Sequence, residues 1–234
     1  MISVYKKELR IAFGGIFGYL AVAILLFSLG AAALIFNLFF GYADFCYTLA
    51  ATQPILVVLI PLLSAGSIAT ERKKGTLDLL FSLPLRASDV VLGKFFALLT
   101  VLAIPTLIAS LYPILFSFWG TVPLLSSYLA MLGYLLLDAL LIALCMLISS
   151  LTRKRAVAAV IGSVACSAIY LCDFAAALIP QVFFSRTLNH AALFARYVGF
   201  MGGYLDLSVL VLYLTLTALF LFLTVVSLEK RRTT

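Results

Sequence analysis

The sequence predicts an all-α membrane protein that crosses the bilayer with six helices. Its 234 residues are 65% hydrophobic and only 11% charged, and the mean hydropathy is +1.22. Its charged residues gather in short clusters between long apolar runs. A soluble domain has about 45–50% apolar and about 25% charged residues, so the composition excludes that class. The net charge of +7 does not indicate a nucleic-acid partner, because the clusters form no basic face on a soluble fold.

Six apolar runs have the length that a membrane span requires. A helix of about 20 apolar residues crosses the hydrocarbon layer, where lipid offers no partner to unpaired backbone groups. The runs cover residues 11–36, 54–70, 92–118, 127–151, 156–179 and 207–228. The first run is too long for a signal-peptide core and lacks a small-residue cleavage pattern after it. We therefore expect one transmembrane domain over residues 1–234.

The positive charges predict the orientation of the spans. An even number of spans places both termini on one side of the membrane. Of the 16 Lys and Arg residues, all but Arg186 and Arg196 fall in the N-terminal segment, residues 71–94, the turn at 153–155 or the C-terminal tail. Cytoplasmic segments carry such an excess. Both termini and the 71–94 loop should therefore face the cytoplasm of a multi-pass protein, most simply in the bacterial cytoplasmic membrane.

The opposite side has two short connections, residues 37–53 and 119–126, and one longer external segment, residues 180–206. Within the longer one, Asn189 can cap a short helix, and Gly202 and Gly203 end it. We expect this helix to dip into the outer leaflet or to lie along it.

The loop between the second and third spans, ERKKGTLDLLFSLPLRASDVVLGK at residues 71–94, is amphipathic. Gly75 breaks the preceding helix, residues 76–83 can form two turns, and Pro84 ends them. One face of this short helix is apolar, and the other carries Asp78 and Ser82. The apolar face consists of Leu77, Leu80, Phe81 and Pro84. Such a helix can lie on the inner leaflet, held by the basic residues before it, or fit a groove on a cytoplasmic partner.

The same loop resembles the permeases of ABC-2 type transporters. The resemblance rests on the cluster at 71–74, the Gly-Thr-Leu-Asp-Leu-Leu segment at 75–80, Pro84 and the later Gly93-Lys94 step. In that family this link contains the coupling helix, which docks on the ATPase subunit. The resemblance implies a permease, expected to be an exporter, with these docking residues: Glu71, Thr76, Leu77, Asp78, Leu80, Phe81, Pro84 and Arg86.

The chain shows no motif for hydrolysing ATP itself. Gly93-Lys94 lacks the upstream glycine and the following Ser or Thr of a phosphate-binding loop. We therefore expect no enzyme activity and no cofactor in this chain. ATP and Mg²⁺ would belong to separate ATPase subunits, and a second permease chain would complete a homodimer or a heterodimer in the lipid membrane.

Two terminal segments extend the resemblance. MISVYKKELR at residues 1–10 is similar to the family's interfacial connecting helix, with Val4 and Leu9 toward lipid and Lys6, Lys7 and Arg10 toward water. Residues 189–228 resemble the gliding-motility-type branch. The sequence departs from that branch at Tyr197, where a glycine is usual, and at the Gly202-Gly203 pair.

Asp138 is an acidic residue deep within a predicted span, where a charged side chain is costly. A regular helix places it about 21 Å from the cytoplasmic end of its span, inside a hydrocarbon layer of about 30 Å. It can line the translocation path, or it can hydrogen-bond Tyr134 or another span. Asp173 lies near the outer end of its span, where we expect headgroups and water to reach it.

Two other classes of function stay open at this stage. An ATP-independent proton- or ion-coupled carrier or channel would use Asp138, and a membrane-embedded enzyme would use His190 with an aspartate. No nucleophile motif accompanies His190, and a lone histidine is more often a surface residue than a catalytic base. The four cysteines show no metal-ligand spacing, and we expect those within spans to pack in the core.

Overall fold

A computed structural model describes residues 1–73, 86–118, 120–152, 154–178, 193–196 and 206–232. Within these ranges every regular element is helical. The elements are α1 (Ile2–Gly14), α2 (Ile16–Ala33) with a π-helical continuation at Leu34–Phe39, α3 (Cys46–Lys73), α4 (Ala87–Ala109), α5 (Leu111–Ser117), α6 (Leu124–Leu151), α7 (Arg155–Leu178), α8 (Leu193–Arg196) and α9 (Leu207–Arg232).

Six helical stretches in the described part of the chain are long and apolar enough to cross a membrane. They are Ile16–Phe39, Cys46–Arg72, Ala87–Ser117, Leu124–Leu151, Arg155–Asp173 and Leu207–Lys230. The six-span, all-α membrane fold predicted from the composition and the apolar runs is thus confirmed.

The first span begins later than the sequence predicted. Residues 11–14 continue α1, and the chain turns at Gly15, whose backbone is extended with φ −116° and ψ 166°. The prediction that Val4 faces lipid is wrong, since Val4 is buried against Gly93 of α4. Leu9 also packs against the protein core, whereas Lys6, Lys7 and Arg10 are exposed. The apolar stripe of α1 therefore covers protein.

The second span is longer than predicted. α3 begins at Cys46 and contains both Pro54 and Pro61, so residues 46–53 are helix and not connection. The threonines in this first part satisfy their hydroxyls locally: Thr48 donates to Asn37 Oδ1 at 2.6 Å and Thr52 to the Leu49 carbonyl at 2.8 Å. Because these hydroxyls have hydrogen-bond partners, burying them does not carry the cost of an unpaired polar group, and the helix can begin eight residues before the predicted start at Pro54.

α6 is the centre of the bundle. It packs against α3, α4, α7 and α9, and Tyr134, Leu137 and Met146 have no exposed surface. α2 and α9 lie outside and expose large apolar side chains such as Phe27 and Phe222. Exposed apolar surface is the expected face toward lipid tails.

The short helix α8 is fastened to two spans. The Phe194 backbone N–H donates to Asp173 Oδ2, and the Tyr213 hydroxyl donates to the Leu193 carbonyl. The Phe194 ring meets Tyr170 edge to face at 5.2 Å. The expectation that water reaches Asp173 is wrong, because this contact leaves the residue only 6% exposed. Asn189, His190, Gly202 and Gly203 lie outside the described residues.

Candidate functional site

The candidate site is the base of the predicted coupling loop, where α3 ends and α4 begins. Of the eight predicted docking residues, Glu71 and Arg86 are described. The other six fall in residues 74–85, outside the described ranges: Thr76, Leu77, Asp78, Leu80, Phe81 and Pro84. The docking surface itself therefore stays a prediction. Its two supports are the end of α3, which carries Glu71, and the start of α4, which follows Arg86.

A buried lysine joins these two supports. Lys94 of α4 places its ammonium 2.8 Å from Glu8 Oε1 on α1 and 2.9 Å from Glu71 Oε2 on α3. It also donates to the Ser67 carbonyl of α3 at 2.8 Å. Lys7 pairs with the second oxygen of Glu71 at 3.2 Å. These five residues, Lys7, Glu8, Ser67, Glu71 and Lys94, are the Lys94 cluster.

The charges of the Lys94 cluster balance, since two ammonium groups face two carboxylates. The Lys94 side chain is only 2% exposed, and that of Glu71 15% exposed, whereas Lys7 at 49% remains in contact with solvent. Removing one member of a buried ion pair leaves an uncompensated charge and costs about 3–5 kcal/mol. The cluster thus holds α1, α3 and α4 together at the two ends of the loop.

Gly93 brings α1 close enough to join the cluster. A Cβ added at Gly93 would lie 2.9 Å from Val4 Cβ and 3.2 Å from the Met1 carbonyl oxygen. Contacts under 3.0 Å do not occur between real Cβ atoms, so only glycine allows this approach. The Gly93-Lys94 step therefore has a structural explanation: the glycine admits α1, and the lysine binds Glu8 on it.

A serine from α6 contacts the backbone of α3 just before the cluster. Ser149 Oγ donates to the Ala65 carbonyl at 3.0 Å and accepts from the Ala69 N–H at 3.1 Å. In a regular α-helix those two backbone groups pair with each other, so Ser149 gives each of them a contact from a second helix. It therefore joins α6 to residues 65–69 of α3.

Two further contacts lie at the end of α3 and at the start of α4. Arg72 Nη1 donates to the Thr152 carbonyl at 3.4 Å, which ties the end of α3 to the turn after α6. Arg86 is exposed and occupies the N-cap position of α4, where its carbonyl accepts from the Asp89 N–H. Glu71 thus faces the protein interior, and Arg86 faces outward.

Asp138 lies away from this site, in the middle of α6. It is fully buried, and neither carboxyl oxygen has a hydrogen-bond partner in the described structure. The hydrogen bond suggested between Tyr134 and Asp138 is not formed there. The Tyr134 hydroxyl instead lies 3.1 Å from Thr52 Oγ1 on α3. The amide nitrogen of the neighbouring Gln53 is likewise buried without a hydrogen-bond partner among the described residues.

The sequence prediction missed Lys7, Glu8 and Ser149 as functional positions. Opposite charges at the two ends of one loop, Glu71 and Lys94, were a signal for the ion pair. Nothing in the linear pattern indicated that an N-terminal helix would supply the remaining charges, because that contact spans more than 60 residues.

Comparison with known proteins identifies one family. A family model described as "ABC-2 family transporter protein" matches residues 41–232, which extend from the start of α3 to the end of α9. The matched region contains most of the Lys94 cluster and the whole predicted coupling loop. No match is found among the curated proteins.

Proposed function

This chain belongs to the ABC-2 family of transporter proteins and is a multi-pass transmembrane permease; from that premise we propose that separate ATPase subunits dock on residues 71–94 and drive export through it. The observation that carries this proposal is the Lys94 cluster. It connects the two helices that emerge from the loop with each other and with α1.

In the proposed mechanism the ATPases displace the coupling loop, and the Lys94 cluster transmits that movement to α3 and α4. Closure of the ATPases on ATP would displace the 76–83 segment, with Leu80 and Phe81 as its apolar anchors. Since Glu71 and Lys94 hold the ends of α3 and α4 together, the two spans would move as one body. Ser149 joins α3 to the central helix α6 just before the pair. A ligand shifts a conformational equilibrium only by contacting the two states differently, and the loop would provide that difference.

A second permease chain would complete the transporter as a homodimer or a heterodimer. The large apolar side chains that α2 and α9 expose, such as Phe27 and Phe222, are compatible with this assembly, since such a surface can meet lipid or a second chain. Both termini would face the cytoplasm, in the bacterial cytoplasmic membrane.

The test is copurification of the chain with candidate ABC ATPases that are coexpressed one at a time. We expect one of them to bind and to hydrolyse ATP in the complex. Leu80→Asp and Phe81→Asp should each reduce its recovery about tenfold or more, as loss of a central apolar anchor does. Ser82→Asp is the matched control, since it adds the same charge on the predicted opposite face and should leave recovery within about twofold.

The competing function is an ion-coupled carrier that uses Asp138. The buried, unpartnered carboxyl is the observation that favours it. In that case purified chain in vesicles would transport without any ATPase, and Asp138→Asn would abolish the flux. Binding of an ATPase that is lost with Leu80→Asp but retained with Ser82→Asp would instead favour the permease with docked ATPases.

A further inference from the structure

A cavity of about 690 Å³ lies beside the Lys94 cluster, on the membrane side of it. Its volume falls within the range of about 300–1,000 Å³ that is usual for small-molecule sites. Residues of α1, α2, α3, α4 and α7 form its wall. The exposed wall residues Phe17 and Leu20 on α2 and Ala156 on α7 place its opening between those two helices.

The cavity is as deep as one leaflet of a bilayer. Its α3 wall runs from Leu59 to Thr70, which corresponds to about 16 Å along a helix. Half of a hydrocarbon layer of about 30 Å has the same depth. The deep wall is entirely apolar and contains Leu59, Leu63, Leu98 and Val101, whereas Leu62 is 50% exposed and lies at the opening.

All polar groups of the wall gather at the end nearest the N-terminal helix. They are Glu8, Ser67, Thr70, Lys94 and Arg155. Lys94 and Glu8 neutralise each other at 2.8 Å, and the Ser67 hydroxyl donates to the Ser64 carbonyl at 2.7 Å. The remaining groups are the Arg155 guanidinium and the Thr70 hydroxyl.

Arg155 and Thr70 lie together at this polar end. A methyl group placed on Gly66 would be 3.3 Å from Arg155 Nε and 3.5 Å from Thr70 Oγ1. The Thr70 hydroxyl is buried without a hydrogen-bond partner in the described structure. The described residues place no carboxylate in an ion pair with Arg155, which stacks over the Phe17 ring with Cζ 4.8 Å from its centroid.

We propose that this cavity binds one anionic phospholipid from the leaflet on the side of the N-terminus. One acyl chain would occupy the apolar wall, and the phosphate would accept hydrogen bonds from Arg155 and, once its side chain rotates toward the cavity, from Thr70. A guanidinium binds phosphate through two parallel N–H groups, and the positive end of the α7 dipole, where Arg155 is the first residue, adds to the attraction. The proposal concerns binding alone and does not depend on which molecule the permease exports.

The experiment uses the full chain in phosphatidylcholine nanodiscs that contain a minor fraction of phosphatidylglycerol with a photoreactive acyl chain. Mass spectrometry then locates the labelled residues. We expect labels on Leu59, Leu63 and Leu98, and about fivefold less labelling there when phosphatidylcholine carries the same photoreactive chain. Both headgroups contain the phosphate, but the choline ammonium cancels its charge and is repelled by Arg155, so the difference corresponds to the attraction of one basic residue for a net anionic headgroup. This comparison requires no mutation, so folding cannot affect it.

Matched variants test the two halves of the site. Arg155→Gln should reduce phosphatidylglycerol labelling about tenfold, whereas Lys154→Gln removes a neighbouring charge outside the wall and should not. Ala156→Trp should obstruct the opening, whereas Val157→Trp, exposed on the same turn but outside the wall, should not.

Three results would overturn the proposal. Equal labelling by the two headgroups would mean that the cavity does not select an anionic lipid. Equal effects of Arg155→Gln and Lys154→Gln would remove Arg155 as the phosphate ligand. Absence of label from the wall, with crosslinks between two copies of the chain at Phe17 or Ala156, would show that a second copy covers the opening.

Discussion

At the scale of single residues, Lys94 is the side chain on which the site depends most. It is among the largest fully buried side chains of the described structure, and it carries a charge. Its four neighbours in the cluster come from α1 and α3. The interactions that stabilise this buried charge therefore join helices that are distant in sequence. A lysine in such a position is retained only where carboxylates compensate for its lost hydration.

We predict that Lys94→Met destabilises the protein by about 3–5 kcal/mol, because Glu8 and Glu71 would remain buried with less compensation. Thermal or denaturant unfolding in detergent measures the change. Lys7→Met is the matched control: its ammonium is half exposed, so that substitution should cost only about 0–1 kcal/mol. Equal costs for both substitutions would mean that the buried pairs contribute no more than the exposed one.

At the scale of elements, α3 is the helix that receives contacts from most of the bundle near the loop. Ser149, Lys94, Lys7 and the Thr152 carbonyl all reach its last two turns. Its two prolines, Pro54 and Pro61, both precede residues 65–69, where the Ser149 hydroxyl contacts the α3 backbone.

Ser149→Ala removes the hydrogen bonds that join α6 to Ala65 and Ala69 of α3. We expect a stability cost of about 0.6 kcal/mol and no more than about 1.7 kcal/mol, the range measured for hydrogen bonds between membrane helices. Thermal unfolding in detergent measures this cost. Ser163→Ala is the control, because that hydroxyl donates only within its own helix, to the Ala159 carbonyl. Equal costs for the two substitutions would show that the contact between α6 and α3 adds no stability of its own.

The short helix α8 depends on Asp173 for its position. Asp173→Ala removes the acceptor of the Phe194 N–H, a charge-assisted hydrogen bond worth about 1.5–3 kcal/mol. We expect faster amide hydrogen exchange at residues 193–196, with the spans unchanged. Asp206→Ala provides the comparison, since that exposed carboxylate accepts only the nearby Ser208 N–H among the described residues. Equal exchange at 193–196 in both variants would contradict the assignment.

At the scale of the whole molecule, the bundle surrounds α6, and the charged groups at the base of the loop share one face. Lys7, Glu71, Arg86 and Lys94 lie there with the N-terminus, whose ammonium is 3.7 Å from Asp89 Oδ1. From the distribution of basic residues we predict that this face lies in the cytoplasm.

Cysteine accessibility tests that orientation. In a chain whose native cysteines are replaced by alanine, Ser3→Cys, Arg86→Cys and Thr233→Cys should react with a membrane-impermeant maleimide only after the cells are lysed. Tyr42→Cys and Gly120→Cys, in the connections on the opposite side, should react in intact cells. Labelling of Ser3→Cys or Arg86→Cys in intact cells would reverse the topology and place the loop out of reach of any cytoplasmic ATPase.

The sequence by itself determined the number of spans, their order and the position of the loop. Burial of backbone groups in lipid forces long apolar runs into helices, so composition and run length are sufficient for those properties. The backbone hydrogen bonds of an α-helix join residues four positions apart, so the sequence of each run is sufficient to predict its helix. The Glu71 to Lys94 loop carried a recognisable pattern for the same reason, since its residues are consecutive.

Only the tertiary structure decided what the charged and small residues at the loop do. The contact of Lys94 with Glu8, the approach of Val4 to Gly93 and the contact of Ser149 with Ala69 each join residues separated by about 80 or more positions. Periodicity reports which face of a helix is apolar, and it does not report whether that face meets lipid or another helix. Val4 was therefore assigned to lipid although it packs on protein, and Asp173 to water although it holds α8.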